Sequence, residues 1–252
     1  AARMMQGEFL EPNNTSSTSN SASLAAFDSN VGFCEDGADS NYQAWMFKRH
    51  AGFDFVMWKG QNVQPGVIPH SLGRVPEMMW LRDRDNGDWE VYHKGLNGGS
   101  SPETYSIKLN EQDAEGNISR WYSTLPTSID FTVTKSYFNA SNTYYIAMLF
   151  ASVDGISKVG YYDGSNSAQT ITTGFQPRFL IIKRTDTANG WWLLDTRRGW
   201  AAGNDAYLEI NETTAQATNV DFGQPTATGF TLTGNHNAYN VAGGSFIYYA
   251  HA

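Results

Sequence analysis

The amino-acid sequence predicts an all-β protein made of tandem β-sandwich or jelly-roll units. Aromatic residues make up 14% of the chain, charged residues only 17%, and there are 24 glycines. This composition favours strands joined by tight turns. No long segment repeats its apolar residues at the helical period of about 3.6 residues. Instead, short runs of β-branched and aromatic residues alternate with Gly, Asn and Pro, which is typical of sandwiches.

A strand–turn–strand motif at residues 174–199 defines the repeat. It begins with Gly-Phe-Gln-Pro and continues into the apolar run Phe-Leu-Ile-Ile-Lys at 179–183. The turn at 187–190 contains Asn189 and Gly190, which tolerate positive φ. A return strand with Trp-Trp-Leu-Leu follows at 191–194. We therefore expect an antiparallel hairpin here.

The same motif occurs at residues 73–95, again with Gly-x-x-Pro, an apolar run, an Asn-Gly turn and Trp. Trp191 matches Trp89 at an offset of 102 residues (191 − 89), and the aromatic run 145–150 matches 42–47 at an offset of 103 (150 − 47). A looser third aromatic run at 245–250 puts Tyr249 in the place of Phe150. Self-similarity of this kind indicates an internal repeat.

The repeat predicts the domain organisation. Residues 51–150 and 151–252 are each predicted to form a β-sandwich unit. Leu-Glu-Pro-Asn-Asn-Thr at 10–15 resembles Leu-Glu-Ile-Asn-Glu-Thr at 208–213, and Gly-Phe at 32–33 matches 229–230. Residues 1–50 are therefore predicted to be the C-terminal half of a preceding unit. Sequence upstream or a neighbouring chain would complete it, because an unpaired half would expose strand edges.

Net charge and hydropathy exclude several classes of protein. The formal net charge of −8 argues against non-specific nucleic-acid binding, which needs clustered Lys and Arg. No run of about 18 apolar residues predicts a transmembrane helix, so membrane insertion is not expected. Cys34 is the single cysteine, so no disulfide can form within the chain.

Tryptophans are the strongest candidates for core and contact residues. Trp89 and Trp191 are expected to fill the inter-sheet core. Trp192 is the next residue on the strand and points to the opposite face. Since its counterpart Glu90 is expected outside, Trp192 is predicted to be exposed or covered by another subunit. Trp192 and Trp200 are the candidate ligand- or partner-binding residues; the alternative is that they pack against a neighbouring loop.

No catalytic or metal-binding motif stands out. The histidines lack metal-site spacing, and His93 is expected at the surface. The Glu-x-Asp-x-x-Glu strand of many β-sandwich glucanases is missing, as are nucleophile and phosphate-loop motifs. Calcium binding in loops by Asp36, Asp39 or Asp163 is a minor alternative. We expect no catalytic residue, no metal site and no cofactor, and hence no enzyme.

Asn-x-Ser/Thr motifs are numerous in this chain. They would be glycan acceptors in a secreted eukaryotic protein, but they also arise by chance in a sequence rich in Asn and Thr. We favour chance for all of them: Asn13, Asn14, Asn117, Asn139 and Asn211.

The motifs at 174–199, with Gly-Phe-Thr-Leu at 229–232 and the closing Phe-Ile-Tyr-Tyr-Ala at 246–250, resemble repeat units of structural proteins from tailed bacteriophages of marine bacteria and cyanobacteria. Such units occur in tail fibres, head fibres and capsid-decoration proteins and are similar to concanavalin A-like lectin sandwiches. The resemblance covers 151–252 well and 51–150 more loosely. It implies a place on the virion surface and carries over no defined sugar-binding residue.

These observations favour a non-enzymatic phage structural protein exposed on the particle, either in a fibre or as capsid decoration. Its expected partners are other virion proteins or copies of itself in a homo-oligomer. The alternative is a lectin-like module that binds a host surface glycan during attachment. A glycoside hydrolase is the third alternative and lacks the required carboxylate motif.

Overall fold

The computed structural model describes residues 8–20 and 43–252 and confirms the all-β prediction. Apart from two 3-10 turns at Leu96–Gly99 and Pro102–Thr104, its one helix is the short α1, Lys135–Phe138, within the described residues. The strands are β1 Glu8–Phe9, β2 Ser19–Asn20, β3 Phe53–Lys59, β4 Gly66–Pro69, β5 Met78–Asp83, β6 Glu90–His93, β7 Ile107–Lys108, β8 Asp130–Val133, β9 Tyr144–Phe150, β10 Ser157–Asp163, β11 Gln169–Thr172, β12 Phe179–Arg184, β13 Trp191–Asp195, β14 Asp205–Glu209, β15 Ala217–Val220, β16 Pro225–Thr226, β17 Gly229–Leu232 and β18 Ser245–His251.

Two large antiparallel sheets dominate the molecule. The first large sheet has the order β3-β9-β5-β6-β7, and the second has the order β10-β18-β12-β13-β14-β15. Each is accompanied by a small sheet, β4-β8 for the first and β11-β17-β16 for the second. Named strands therefore pair within 53–150 or within 157–251, and β1 pairs with β2.

Both predicted hairpins form. β5 pairs with β6, and β12 pairs with β13 with Lys183 opposite Trp191. The aromatic runs β9 and β18 lie inside the large sheets, flanked on both sides by strands. Both faces of these runs are apolar, as expected for strands that are covered above and below.

Strand register corrects one detail of the repeat alignment. Phe150 lies opposite Met78, and His251 lies opposite Phe179 at the start of the equivalent strand. His251, and not Tyr249, therefore takes the place of Phe150. The sequence match was displaced by two residues, and a shift of two keeps every side chain on the same face, so the apolar pattern of β18 does not reveal it.

The buried apolar residues form three cores. A central core lies between the two large sheets and contains Phe55, Trp89 and Val91 from the first sheet with Val159 and Trp191 from the second. Two outer cores lie between each large sheet and its small sheet. The layers thus run small sheet, large sheet, large sheet, small sheet, because the large sheets are apolar on both faces.

The central core changes the meaning of the repeat. Trp89 and Trp191 are buried as expected, but they lie between the two ranges instead of inside each sandwich. The boundaries 51–150 and 151–252 stay a prediction, because the ranges share this core. Much of the predicted half-unit, with Gly32-Phe33, Cys34, Asp36 and Asp39, lies outside the described residues.

Candidate functional site

Two interfaces in the structure use the same set of contacts. The segment interface joins residues 8–20 to the first large sheet. The sheet interface joins the first large sheet to the second. Both use a tryptophan, a buried cation and main-chain groups at matching positions.

Each tryptophan spans its interface through the indole nitrogen. Trp191 Nε1 donates to Lys108 O at 2.8 Å, and Trp89 Nε1 donates to Glu11 O, also at 2.8 Å. The rings are almost completely buried, with 1% of Trp191 and 3% of Trp89 exposed. A buried indole N–H needs an acceptor, and here the acceptor belongs to the neighbouring repeat.

Asparagine holds each tryptophan from within its own repeat. The main-chain N–H of Trp191 donates to Asn211 Oδ1 at 2.7 Å, and that of Trp89 donates to Asn110 Oδ1 at 2.8 Å. The two asparagines are 101 residues apart (211 − 110). Both lie just after the strand that supplies the edge of the interface, so they set the position of the ring.

Main-chain hydrogen bonds repeat in the same way. At the sheet interface Asn189 N donates to Gln112 O and Glu115 N donates to Thr185 O. At the segment interface the matching bonds run from Gly87 N to Thr15 O and from Thr18 N to Arg84 O. One offset of 97 residues relates the three contact positions of residues 8–20 to those of the first large sheet: Glu11 to Lys108, Thr15 to Gln112, and Thr18 to Glu115 (108 − 11, 112 − 15 and 115 − 18).

A fully buried cation completes each interface. Lys183 Nζ donates to Gln112 O at 2.9 Å and also to Asn189 O. Arg82, 101 residues earlier (183 − 82), donates from Nη1 to Glu11 O at 3.0 Å and from Nη2 to Ser16 O. The charged groups lie 6.0 Å and 5.4 Å from the ring centres of Trp191 and Trp89, respectively. Cation–π attraction adds to the hydrogen bonds.

The two cations differ in how firmly they hold their charge. Burial lowers the pKa of Lys183 to about 7, although the charge of Asp113 opposes the shift. Burial also lowers the pKa of Arg82 from its ordinary value, but a guanidinium stays protonated in proteins. The sheet interface therefore contains a titratable cation where the segment interface contains a permanent one.

The last residues of β6 and β13, His93 and Asp195, make a third pair of contacts from equivalent positions. His93 Nε2 lies 3.2 Å from Tyr248 O, and Asp195, 102 residues later (195 − 93), accepts Trp45 Nε1 at Oδ2 at 2.7 Å. His93 was expected at the surface but has no exposed area, because the second large sheet covers it. Burial lowers the pKa of His93 to about 3, so its ring is neutral.

These contacts connect the two large sheets with the segments 8–20 and 43–47. The first large sheet reaches residues 8–20 through Trp89, and the second reaches the first through Trp191. The second large sheet also holds the segment 43–47, through Asp195 and Trp45. Phe47 then lies 5.8 Å from Phe150 and 5.8 Å from His251, ring centre to ring centre. These three rings occupy equivalent positions in the repeat.

Glu90 also differs from expectation. It was predicted outside but is buried, with Oε1 2.9 Å from Arg120 Nε and 2.8 Å from Arg120 Nη2. The Arg120 guanidinium lies 3.6 Å above the centre of the Tyr137 ring. The second face of the hairpin is covered by the outer core, so a charge on that face must be paired.

The two predicted contact tryptophans do not form an open site. Trp200 is 2% exposed and donates from Nε1 to Gly223 O at 2.9 Å, so the expectation of an exposed ring is wrong. Trp192 is half-buried, with ring centres 5.2 Å from Tyr207 and 5.7 Å from Phe222. Trp200 belongs to the outer core of the second large sheet, and Trp192 packs against that core.

One surface depression contains a carboxyl group. It is lined by Arg74, Val75, Pro76, Glu77, Tyr92, Lys94, Ala151 and Ser152. Glu77 forms an ion pair with Lys94 at 2.5 Å and accepts Ser152 N at 2.6 Å. Burial acts to raise the pKa of Glu77, but these contacts outweigh it and the pKa lies below its ordinary value. One engaged carboxylate does not make the pair that glycoside hydrolysis uses.

In the part of the chain that the structure describes, no group of three or more His, Cys, Asp or Glu side chains is placed to hold a metal ion. Asp163, the described member of the calcium alternative, is exposed at the end of β10. Within the same residues, no helix has the length and apolar character needed to cross a membrane.

Comparison with known proteins shows the family. The chain belongs to a family of domains of unknown function, DUF7483, whose model matches residues 11–252. No curated protein and no solved structure matches the chain.

The sequence did not identify Arg82 and Lys183 as interface cations or Glu90 and Arg120 as a buried ion pair. Arg82 and Lys183 end apolar runs and resemble ordinary charged residues at the exit of a strand. One signal was available, since both occupy the same position of the repeat, seven or eight residues before a tryptophan that was itself expected in the core. A cation kept beside a buried aromatic at both positions indicates a contact between repeats.

Proposed function

We propose that this chain is a non-enzymatic structural protein on the surface of a bacteriophage particle, in a fibre or as capsid decoration. The proposal is supported by one structural observation above all. The buried polar groups of the two interfaces join one part of the chain to the next through main-chain acceptors, and such contacts produce a rigid β assembly.

The central core gives the assembly its rigidity. Tryptophan rings, buried cations and main-chain bonds cross each interface together, so the repeats cannot rotate against one another without breaking several contacts. A particle-surface protein must resist shear and dilution, and its contacts are multiplied over many copies. The resemblance of 151–252 to phage repeat units is the reason for proposing a phage particle and a place on its surface.

The lectin-like alternative has less support. Stacking on sugar rings needs exposed aromatic faces, whereas Trp200 is buried and Trp192 packs against Tyr207 and Phe222. Host attachment by glycan binding would have to use another surface. An array of host glycans probed with the assembled protein distinguishes the two functions, because the structural proposal expects no binding above background.

Particle labelling tests the main proposal. Gold-labelled antibody against this chain is applied to intact phage particles and viewed by electron microscopy. Label along the shell supports capsid decoration, and label on thin projections supports a fibre. Particles that carry no label, while the antibody detects the purified chain, contradict the proposal.

A further inference from the structure

Apolar residues of β14 are less buried than their counterparts on β7. On the first large sheet, Ile107 and Leu109 are 2% and 0% exposed beneath the second large sheet. Their counterparts 101 residues later, Leu208 and Ile210 (208 − 107 and 210 − 109), are only half-buried. The same apolar positions are thus closed at one interface and partly open on the second large sheet.

Hydrogen-bonding groups beside β14 match the two occupied interfaces. Glu209, Thr213 and Gln216 follow Lys108, Gln112 and Glu115 by 101 residues (209 − 108, 213 − 112 and 216 − 115). Among residues 8–20 and 43–252, no donor from another repeat reaches Glu209 O or Thr213 O, and Gln216 N has no acceptor. Residues 212–216 are exposed.

Glu209 O retains room for a second donor. It accepts Glu212 N at 3.3 Å within its own turn, which leaves one lone pair of the carbonyl oxygen. Lys108 O and Glu11 O use this position to accept a tryptophan indole.

Asn13 is a second hydrogen-bonding position that lacks the partner its counterparts have. Asn110 and Asn211 each accept the main-chain N–H of the tryptophan in their own repeat, and Asn13 precedes them by 97 and 198 residues (110 − 13 and 211 − 13). Asn13 is half-buried, and no described residue donates to its side chain. The segment 8–20 therefore contains the asparagine of a repeat whose tryptophan hairpin is not among the described residues.

We propose that the face between residues 8–20 and β14–β15 binds a third hairpin of this same repeat. Its tryptophan donates the main-chain N–H to Asn13 Oδ1 and the indole N–H to Glu209 O. Its cation reaches Thr213 O, and Gln216 N donates to the hairpin carbonyl that corresponds to Arg84 O and Thr185 O. The hairpins 78–93 and 179–195 of this chain are already engaged, so the occupant is a third hairpin of the same type, continuous with residues 8–20.

The direction of the contacts supports this occupant. The second sheet donates its tryptophan to the first, and the first donates to residues 8–20. A third hairpin that is continuous with residues 8–20 and donates to the second sheet adds the third contact, so that the three contacts form a closed ring. Head-to-tail contacts of this kind close when the rotation between units allows it, and the contact between Trp45 and Asp195 already joins the segment 43–47 to the second large sheet.

The test adds the hairpin to the full chain. A duplicate of residues 155–198 is fused directly before Ala1, which keeps the repeat in register because 199 − 1 equals 198, the offset between residues 10–15 and 208–213. Amide hydrogen exchange is measured at Gln216 and Ile210. We expect exchange of the Gln216 amide to slow by about tenfold or more relative to the parent chain. The same fusion with Trp191→Ala in the duplicated segment alone should lose this protection.

Matched variants locate the contact. In the fusion, Asn13→Ala should abolish the protection at Gln216, whereas Asn14→Ala should keep it, because Asn14 forms its hydrogen bonds with described residues inside its own loop, to Glu11 and Ser16. Unchanged exchange at Gln216 in the fusion overturns the proposal, as do equal effects of the two asparagine variants. Protection of Gln216 in the parent chain that rises with protein concentration also overturns it, because a second intact copy would then be the occupant.

This inference extends the proposed assembly role to a specific partner surface. Its readout is made on purified protein and does not depend on where the chain lies in a particle. Absence of label on particles combined with protection in the fusion would refute the phage function alone. Label on particles combined with unchanged exchange would refute the third hairpin alone.

Discussion

The segment interface and the sheet interface differ greatly in size and share their chemistry. One joins a segment of thirteen described residues, 8–20, to a sheet, and the other joins two sheets of five and six strands. Both use a tryptophan indole, a main-chain pair and a cation over the ring. The residues that accept these bonds are as different as Glu11 and Lys108 because only their carbonyl oxygens are used. Main-chain recognition lets the repeats diverge in sequence and still pack alike.

Replacing the interface tryptophans should have the largest effect. Trp191→Ala and Trp89→Ala are each expected to lower the free energy of unfolding by about 3–5 kcal/mol, as for deleted core aromatics. Hydrogen exchange separates the two interfaces. Trp191→Ala should expose the amides of Asn189 and Glu115, and Trp89→Ala those of Gly87 and Thr18. If both variants loosened the same amides, the two interfaces would not be independent.

The asparagines should rank next. Asn211→Ala and Asn110→Ala remove the acceptor of a buried main-chain N–H, which costs about 1–3 kcal/mol each. Chemical denaturation of each variant measures the change. Asn219→Ala is a suitable control, because Asn219 is exposed on β15 and its side chain accepts a hydrogen bond from the hydroxyl of Tyr207 instead of from a buried main-chain N–H. A loss from Asn219→Ala equal to that from Asn211→Ala would contradict the role of the buried amide.

Trp192→Ala should cost less than Trp191→Ala. The Trp192 ring is half-buried against Tyr207 and Phe222, and its removal is expected to cost about 1–2 kcal/mol, in proportion to the smaller area buried. Denaturant midpoints of the two variants, measured side by side, check the order. Equal and large losses would show that the two faces of β13 are buried to the same degree.

The pH dependence of stability should distinguish the two cations. The folded pKa of Lys183 is about 7 and its unfolded pKa is the ordinary value near 10.5. Between these values the unfolded chain binds more protons, so stability contributed by Lys183 rises with pH from about 7 to about 10, by at most about 1.4 kcal/mol per pH unit. Below pH 7 both states are protonated and the contribution is constant at its lowest value.

Lys183→Arg provides the comparison, because it places the permanent cation of the segment interface in the sheet interface. Urea denaturation of both proteins at several pH values between 6 and 10 gives the slope of the free energy of unfolding against pH for each. This slope should be larger for the wild type than for the variant. Identical slopes would show that Lys183 keeps its proton throughout this range.

Several features were predictable from the sequence. The hairpins β5–β6 and β12–β13 followed from Asn-Gly turns between apolar runs, since turn chemistry and alternation are local properties. Burial of Trp89 and Trp191 followed from their recurrence in the repeat. Neither the turn residues nor the recurrence of the tryptophans predicted that Trp191 lies opposite Lys183, because strand register depends on both strands.

The sequence by itself determined the strand content and the two core tryptophans, because residue type and spacing specify local conformation and the buried face. Tertiary structure alone decided which surfaces the large sheets cover. A strand with apolar residues on both faces looks the same whether its second face meets its own small sheet or another repeat. His93 and Glu90 were therefore assigned to the surface and are buried, since burial of a polar side chain depends on partners such as Tyr248 and Arg120 that lie far away in the sequence.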